Sequence, residues 1–306
     1  MELDIGKLIS FGFSWMKDKT CLKYFVFLFI FYAIIGTISN YALSGIYKTF
    51  AAGSTEILTT AIYFAGYTLI IGIITGVVAL IMFYLIVSRG LKLAKSSFAS
   101  LTFGRFLRLI VLCIASAFVA GLSIFRLKWL WILIVGVILF IAGTVIFIAG
   151  TGGNLLLLGI GGALEIASVV LLVIYGVIVV YNSIRLAVGE IAFVEREQPI
   201  MKALKKSWDV TGGRVWEIIL AMFVLGVLIW IISSVLGLPA FVYTFIQGFT
   251  TAMQSATASQ TAAYALMGDP IYLALIIPSY LASAILIMTS AFYTVGIYLS
   301  LSKGKK

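Results

Sequence analysis

A chain of 306 residues that is 63% hydrophobic and 10% charged is too apolar for a soluble domain, in which roughly half the residues are apolar and about a quarter charged, so most of its surface must face lipid. The formal charge of +10 does not point to nucleic acid, because the basic residues are dispersed at the ends of apolar runs and interleaved with Trp and Phe. The matching counter-charge is the anionic lipid headgroups of the cytoplasmic leaflet.

In chain order, Ile5, Leu8, Ile9, Trp15 and Met16 alternate with Lys7, Ser14 and Lys17 at helical spacing, predicting a short amphipathic helix before the first span. Apolar stretches follow at Tyr24 to Leu43, Thr59 to Ser88, Leu109 to Phe125, Trp129 to Ala149, Leu155 to Ile184, Val215 to Leu236 and Ile271 to Leu301. A helix needs about 20 apolar residues to cross the hydrocarbon core, and none of these runs shows the alternation of a membrane strand. The fold class is therefore all-α, a polytopic helical membrane protein. The Gly72 and Gly76 pair has the spacing of a close helix contact.

Charge sets the expected topology. Of 21 basic residues, 18 fall in four clusters: Lys7 to Lys23, Arg89 to Arg108, Arg185 to Arg214, and Lys303 to Lys306. Basic loops stay on the cytoplasmic side, which requires an even number of crossings between Arg108 and Arg185, where three apolar stretches lie. About six transmembrane helices result. The surplus around Arg126 to Asn154 forms a re-entrant or overlong hairpin turning at Thr151-Gly152-Gly153-Asn154, and seven spans with a charge-rule violation is the alternative. Both termini are expected on the cytoplasmic side of a multi-pass protein in the cell membrane.

Inside the spans, Glu165 is the sharpest functional candidate, because an ionisable group in lipid is costly and Gly159, Gly161 and Gly162 before it allow another backbone to approach. Glu190 and Glu217 read as interfacial or salt-bridged, and Ser233 and Ser234 as helix-to-helix hydrogen-bonding groups. Beyond Arg185, the residues Ile200, Ala203, Leu204, Ser207 and Trp208 share one helical face while Lys202, Lys205, Lys206 and Asp209 share the other. This predicts a second amphipathic helix in the headgroup plane on the cytoplasmic side, started by Pro199 and ended by Gly212-Gly213. A weaker third copy spans Lys95 to Arg108. The chain reads as a single membrane domain, 1–306, with suspected repeat units starting near 1, 95 and 198.

The run Arg185, Glu195, Pro199, Ala203, Leu204, Ser207, Trp208, Thr211, Gly213 and Arg214 resembles the signature of a broad group of prokaryotic multi-helix membrane proteins of unknown function, similar to the membrane domain attached to some glycerophosphodiester phosphodiesterases. The resemblance is strong over about thirty residues and loose from 90 to 240. It implies a six-helix fold and assigns these residues a structural role. The catalytic domain of those phosphodiesterases is a separate soluble barrel, so their activity does not carry over.

With no His in the chain, an imidazole base, an HExxH zinc site and Ser–His or Cys–His pairs are ruled out. A GxxxxGK[ST] phosphate loop is also missing, and Asp4, Asp18, Asp209 and Asp269 all fall in polar or interfacial segments. Cys21 and Cys113 are too isolated for a zinc or redox pair and read as packing residues. A 23-residue amphipathic leader before a long span argues against a cleaved signal peptide. The expected function is a membrane scaffold or accessory subunit without catalytic machinery, cofactor or metal, meeting membrane lipids and a membrane or cytoplasmic protein partner. The alternative is a transporter or lipid-handling protein with a midplane site near Glu165 and a last helix interrupted at Pro278.

Overall fold

The computed structural model describes residues 3–51, 57–94, 96, 102–122, 129–196, 198–254 and 267–303. Among the described residues there is no strand. The helices are α1 (Ile5–Gly12), α2 (Lys19–Ala51), α3 (Ile57–Leu93), α4 (Phe103–Gly121), α5 (Leu130–Gly150), α6 (Leu155–Leu186), α7 (Gly189–Glu195), α8 (Ile200–Thr211), α9 (Val215–Gln254) and α10 (Pro270–Lys303). Seven of them, α2 to α6, α9 and α10, are long and apolar enough to cross a membrane. The protein is an all-α polytopic helical protein, as its apolar runs require: lipid offers no partner to backbone N–H and C=O groups, and a helix satisfies them within one segment.

The residues fall into two compact units, Met1–Ser100 with Leu220–Ser300, and Leu101–Ile219 with Leu301–Lys306. In the first unit, Asp4 caps α1 by accepting from the Lys7 N–H. The helix buries Leu8 and Gly12, and a short 3-10 turn at Ser14–Lys17 then turns Trp15 inward. The Trp15 indole N–H donates to Thr289 Oγ1 on α10 at 3.1 Å. Leu8 and Trp15 of the leader therefore pack against protein, while Met16 is exposed. Asp18 begins α2, its carboxylate accepting from the Thr20 and Cys21 N–H groups. The same carboxylate takes two bonds from Arg89 near the end of α3, Nε to Oδ1 at 3.2 Å and Nη2 to Oδ2 at 2.7 Å. Further along, the buried Tyr293 hydroxyl donates to the Ala221 carbonyl at 2.8 Å. Gly36 admits the Tyr280 ring so closely that a Cβ there would overlap it. Asn40 bridges the Gly36 carbonyl and the Tyr280 hydroxyl.

Two expectations change in this unit. Pro278 does not interrupt the last helix: α10 runs through it from Pro270 to Lys303, as α9 runs through Pro239, since neighbouring helices re-satisfy freed carbonyls in lipid. Among the described residues the close contact expected at Gly72 and Gly76 is not made, because none of them lies within 4 Å of a Cβ built at either position. The surrounding face of α3, with Leu69, Ile70 and Ile73, is exposed.

The second unit is organised by α5 and α6, an antiparallel hairpin. Its turn is Thr151 to Asn154: Asn154 Oδ1 caps α6 by accepting from the Leu156 and Leu157 N–H groups, and Gly153 adopts φ of +104°, a conformation that suits glycine. Buried glycines at Gly136, Gly143 and Gly150 recur every seven residues and bring the helix backbones together. A Cβ at Gly143 would meet Glu165 N at 3.0 Å, and one at Gly150 would meet Leu158 N at 2.6 Å. At 21 and 32 residues, α5 and α6 extend about 31 and 48 Å at 1.5 Å per residue, so α5 matches a hydrocarbon core of about 30 Å and α6 exceeds it.

Helix α4 does not accompany that hairpin along its length. Midway along α4, Cys113 Sγ lies 3.6 Å from Glu190 Oε1 on α7. At its end, Asn182 Nδ2 donates to the Ala120 carbonyl at 3.4 Å and the Tyr175 hydroxyl donates to the Gly121 carbonyl. Just before α5, Trp129 meets Tyr181 edge to face with centroids 6.2 Å apart. The chain therefore starts α5 at the level of α6 where α4 has ended. The weaker amphipathic segment falls partly on 95 and 97–101, outside the described residues; from Phe103 onward it is the first turn of α4, capped by Thr102. Arg126 and Lys305 and Lys306 also lie outside the described residues.

Candidate functional site

The signature residues fold into one knot where α6, α7 and α8 meet. Arg185 ends α6, a favourable place for a cation because the helix dipole is negative there, yet its side chain is buried. Its guanidinium lies over the Trp208 ring, 3.7 Å from the centroid, and Nη2 donates to the Trp208 carbonyl at 2.5 Å. That carbonyl belongs to the last turn of α8, where backbone acceptors lack helical partners. Ser207 and Thr211, both fully buried, return the bond by donating to the Arg185 carbonyl at 2.6 and 3.2 Å. Arg185 and α8 thus close each other's helix ends.

The remaining signature positions support this clasp. The Pro199 carbonyl accepts from the Lys202 and Ala203 N–H groups, starting α8. Glu195 at the end of α7 pairs with Lys206 at 3.4 Å. At Gly212 a Cβ would meet the Arg185 guanidinium at 3.2 Å, and Gly213 adopts φ of +79° to release the chain into α9. Arg214 forks onto Glu217, Nε to Oε1 at 3.2 Å and Nη2 to Oε2 at 2.8 Å. Helix α8 buries Ala203, Leu204, Ser207, Val210 and Thr211 within the protein and exposes Met201, Lys202, Lys205 and Asp209.

Glu165 lies apart from this knot, eleven residues beyond the hairpin turn at Asn154. It is half-buried, beside Gly143 of α5, and its Oε1 accepts from the Thr144 hydroxyl at 3.3 Å. The structure does not bring it together with any signature residue. Ser233 is half-buried and Ser234 exposed on α9. Cys21 is buried and Cys113 half-buried. Among the described residues, no group of three or more Cys, Asp or Glu side chains is arranged to hold a metal ion.

Sequence reasoning missed two features. The Asp18–Arg89 clasp joins residues 71 positions apart, beyond any local periodicity. Thr144 gave no signal as the partner of Glu165, although the seven-residue spacing of Gly136, Gly143 and Gly150 was there to be read.

No protein-family model matches the chain, and neither a curated protein nor a solved structure matches it.

Proposed function

We propose that this protein is a non-catalytic membrane scaffold or accessory subunit, a polytopic protein of the kind its signature resembles, held with both termini and its basic segments on the cytoplasmic side of the cell membrane. One observation carries the reading: the charged and hydroxyl side chains that chemistry would call on are turned onto one another. Arg185, Trp208, Ser207 and Thr211 close two helix ends, and Glu165 is bonded to Thr144 at a glycine-mediated backbone contact. The exposed basic face of α8 and the basic residues near the membrane boundary meet anionic headgroups, each contributing about 1 kcal/mol of attraction. Exposed apolar faces such as that of α3 at Gly72 and Gly76, where small residues permit close helix approach, suit a membrane protein partner.

The competing transport reading places Glu165 at a midplane site. Reconstitution into liposomes loaded with a pH-sensitive dye separates the two. The scaffold reading expects proton flux no greater than in empty liposomes, identical for wild type and Glu165→Gln. Flux that the wild type supports and Glu165→Gln abolishes would replace it with a transporter.

A further inference from the structure

We propose that the cleft lined by Arg108, Gln198, Pro199 and Ile200 binds the phosphate headgroup of an anionic phospholipid, whose acyl chain lies along the exposed ridge of α4. The cleft measures about 440 Å³ and lies beside the start of α4 at the entry to α8, room enough for a phosphodiester headgroup.

Three features of this place select the occupant. Arg108 is exposed, and its planar guanidinium matches two phosphate oxygens at once. The entry to α8 adds donors of the same sign: Pro199 precedes the first turn with no side-chain cap, and the first backbone N–H groups of a helix have no partner within the helix and favour an anion. From Leu107 the side chains of Val111, Ile114 and Phe118 are all exposed and recur at three- and four-residue steps, so they form one apolar ridge flanking Arg108. The eleven helical steps from Leu107 to Phe118 carry that ridge about 16 Å, a length along which an acyl chain can lie. A free phosphate would use the cation and the helix start alone; a phospholipid uses these and the ridge together.

The site rests on the reading that the basic segments meet anionic lipid, and narrows it to one cleft. Its test is native mass spectrometry of the full chain, delipidated in dodecyl maltoside and offered equal amounts of dioleoylphosphatidylglycerol and dioleoylphosphatidylcholine. Wild type is expected to retain one phosphatidylglycerol with a preference of about fivefold or more, the value of one cation at a membrane surface. Arg108→Gln should erase the preference, Arg108→Lys should keep most of it, and Lys23→Gln, which removes an exposed charge from α2, should leave it unchanged. Arg108 is exposed, so its variants test binding without emptying a core position. A wild type with no preference, or an Arg108→Gln protein that retains phosphatidylglycerol as wild type does, would overturn the proposal. So would displacement of the bound lipid by millimolar inorganic phosphate, which would show that the ridge takes no part. None of these results touches the scaffold reading, which stands on a protein partner.

Discussion

Arg185 and Trp208, 23 residues apart on different helices, are stacked with the guanidinium 3.7 Å from the ring centroid, and the same guanidinium bonds the Trp208 carbonyl. A planar cation suits this place, since it spreads over the ring while a nitrogen reaches the carbonyl in its plane. Replacing Arg185 with Lys keeps the charge but gives up the planar stack over the ring. We expect Arg185→Lys and Trp208→Ala each to lower stability by about 2 kcal/mol and the double variant to lose less than the sum, because the two act as one contact. Thermal unfolding in mild detergent checks this, and strictly additive losses would mean the stack is not coupled.

The glycine spacing of α5 sets how closely the hairpin closes. A Cβ at Gly143 presses on the Glu165 backbone, whereas one at Gly152 in the turn meets only the Ala149 carbonyl at 3.9 Å. Gly143→Ala should therefore destabilise by about 1 to 3 kcal/mol and Gly152→Ala should be near neutral. A cysteine pair across α5 and α6 whose disulfide yield falls only in Gly143→Ala would report the splaying directly.

Asp18 gives the first unit an acid-side dependence. Bonding to the Arg89 guanidinium holds its carboxyl down, from an ordinary 3.8 to about 2, and the pair is mostly buried, with the two side chains 12% and 25% exposed. Because the folded value is the lower one, the stabilisation is complete above about pH 4 and is lost as pH falls through about 2. Asp18→Asn should cost on the order of 2 kcal/mol at neutral pH and flatten the stability profile between pH 4 and 2. An unchanged acid profile in Asp18→Asn would remove the pair from that role.

Topology is open to cysteine labelling. Helices α4, α5 and α6 are each long and apolar enough to cross a membrane, whereas the charge clusters call for an even number of crossings between Arg108 and Arg185. Gly152→Cys at the hairpin turn should react with an impermeant maleimide added outside intact cells, while Gly104→Cys and Lys202→Cys should react only after permeabilisation. Labelling of Gly104→Cys and Lys202→Cys from opposite sides would establish an odd number of crossings between them.

Much of this architecture was legible in the sequence because it follows from local patterns. Apolar length marks the helices, and Thr151-Gly152-Gly153-Asn154 combines a cap with a positive-φ glycine to mark the hairpin turn. Pro199 and Gly213 likewise bound α8. What escaped is what distance in sequence conceals. The apolar faces of α1 and α8 resemble those of helices lying on lipid, yet Leu8 and Trp15 bury against α10 and Leu204 within the α6–α8 knot, because a protein surface and a bilayer reward the same amphipathic pattern. Pro278 looked like a break since its missing N–H is visible in sequence, while the helix that continues through it is visible only in three dimensions.

The most direct measurement of the scaffold reading is native mass spectrometry of the protein extracted from its own membrane in mild detergent. The account predicts a second membrane or cytoplasmic protein bound at a fixed stoichiometry, retained in Glu165→Gln and lost when the Arg185 clasp is broken. A lone chain or homo-oligomer that carries one defined small molecule, released by Glu165→Gln, would contradict it.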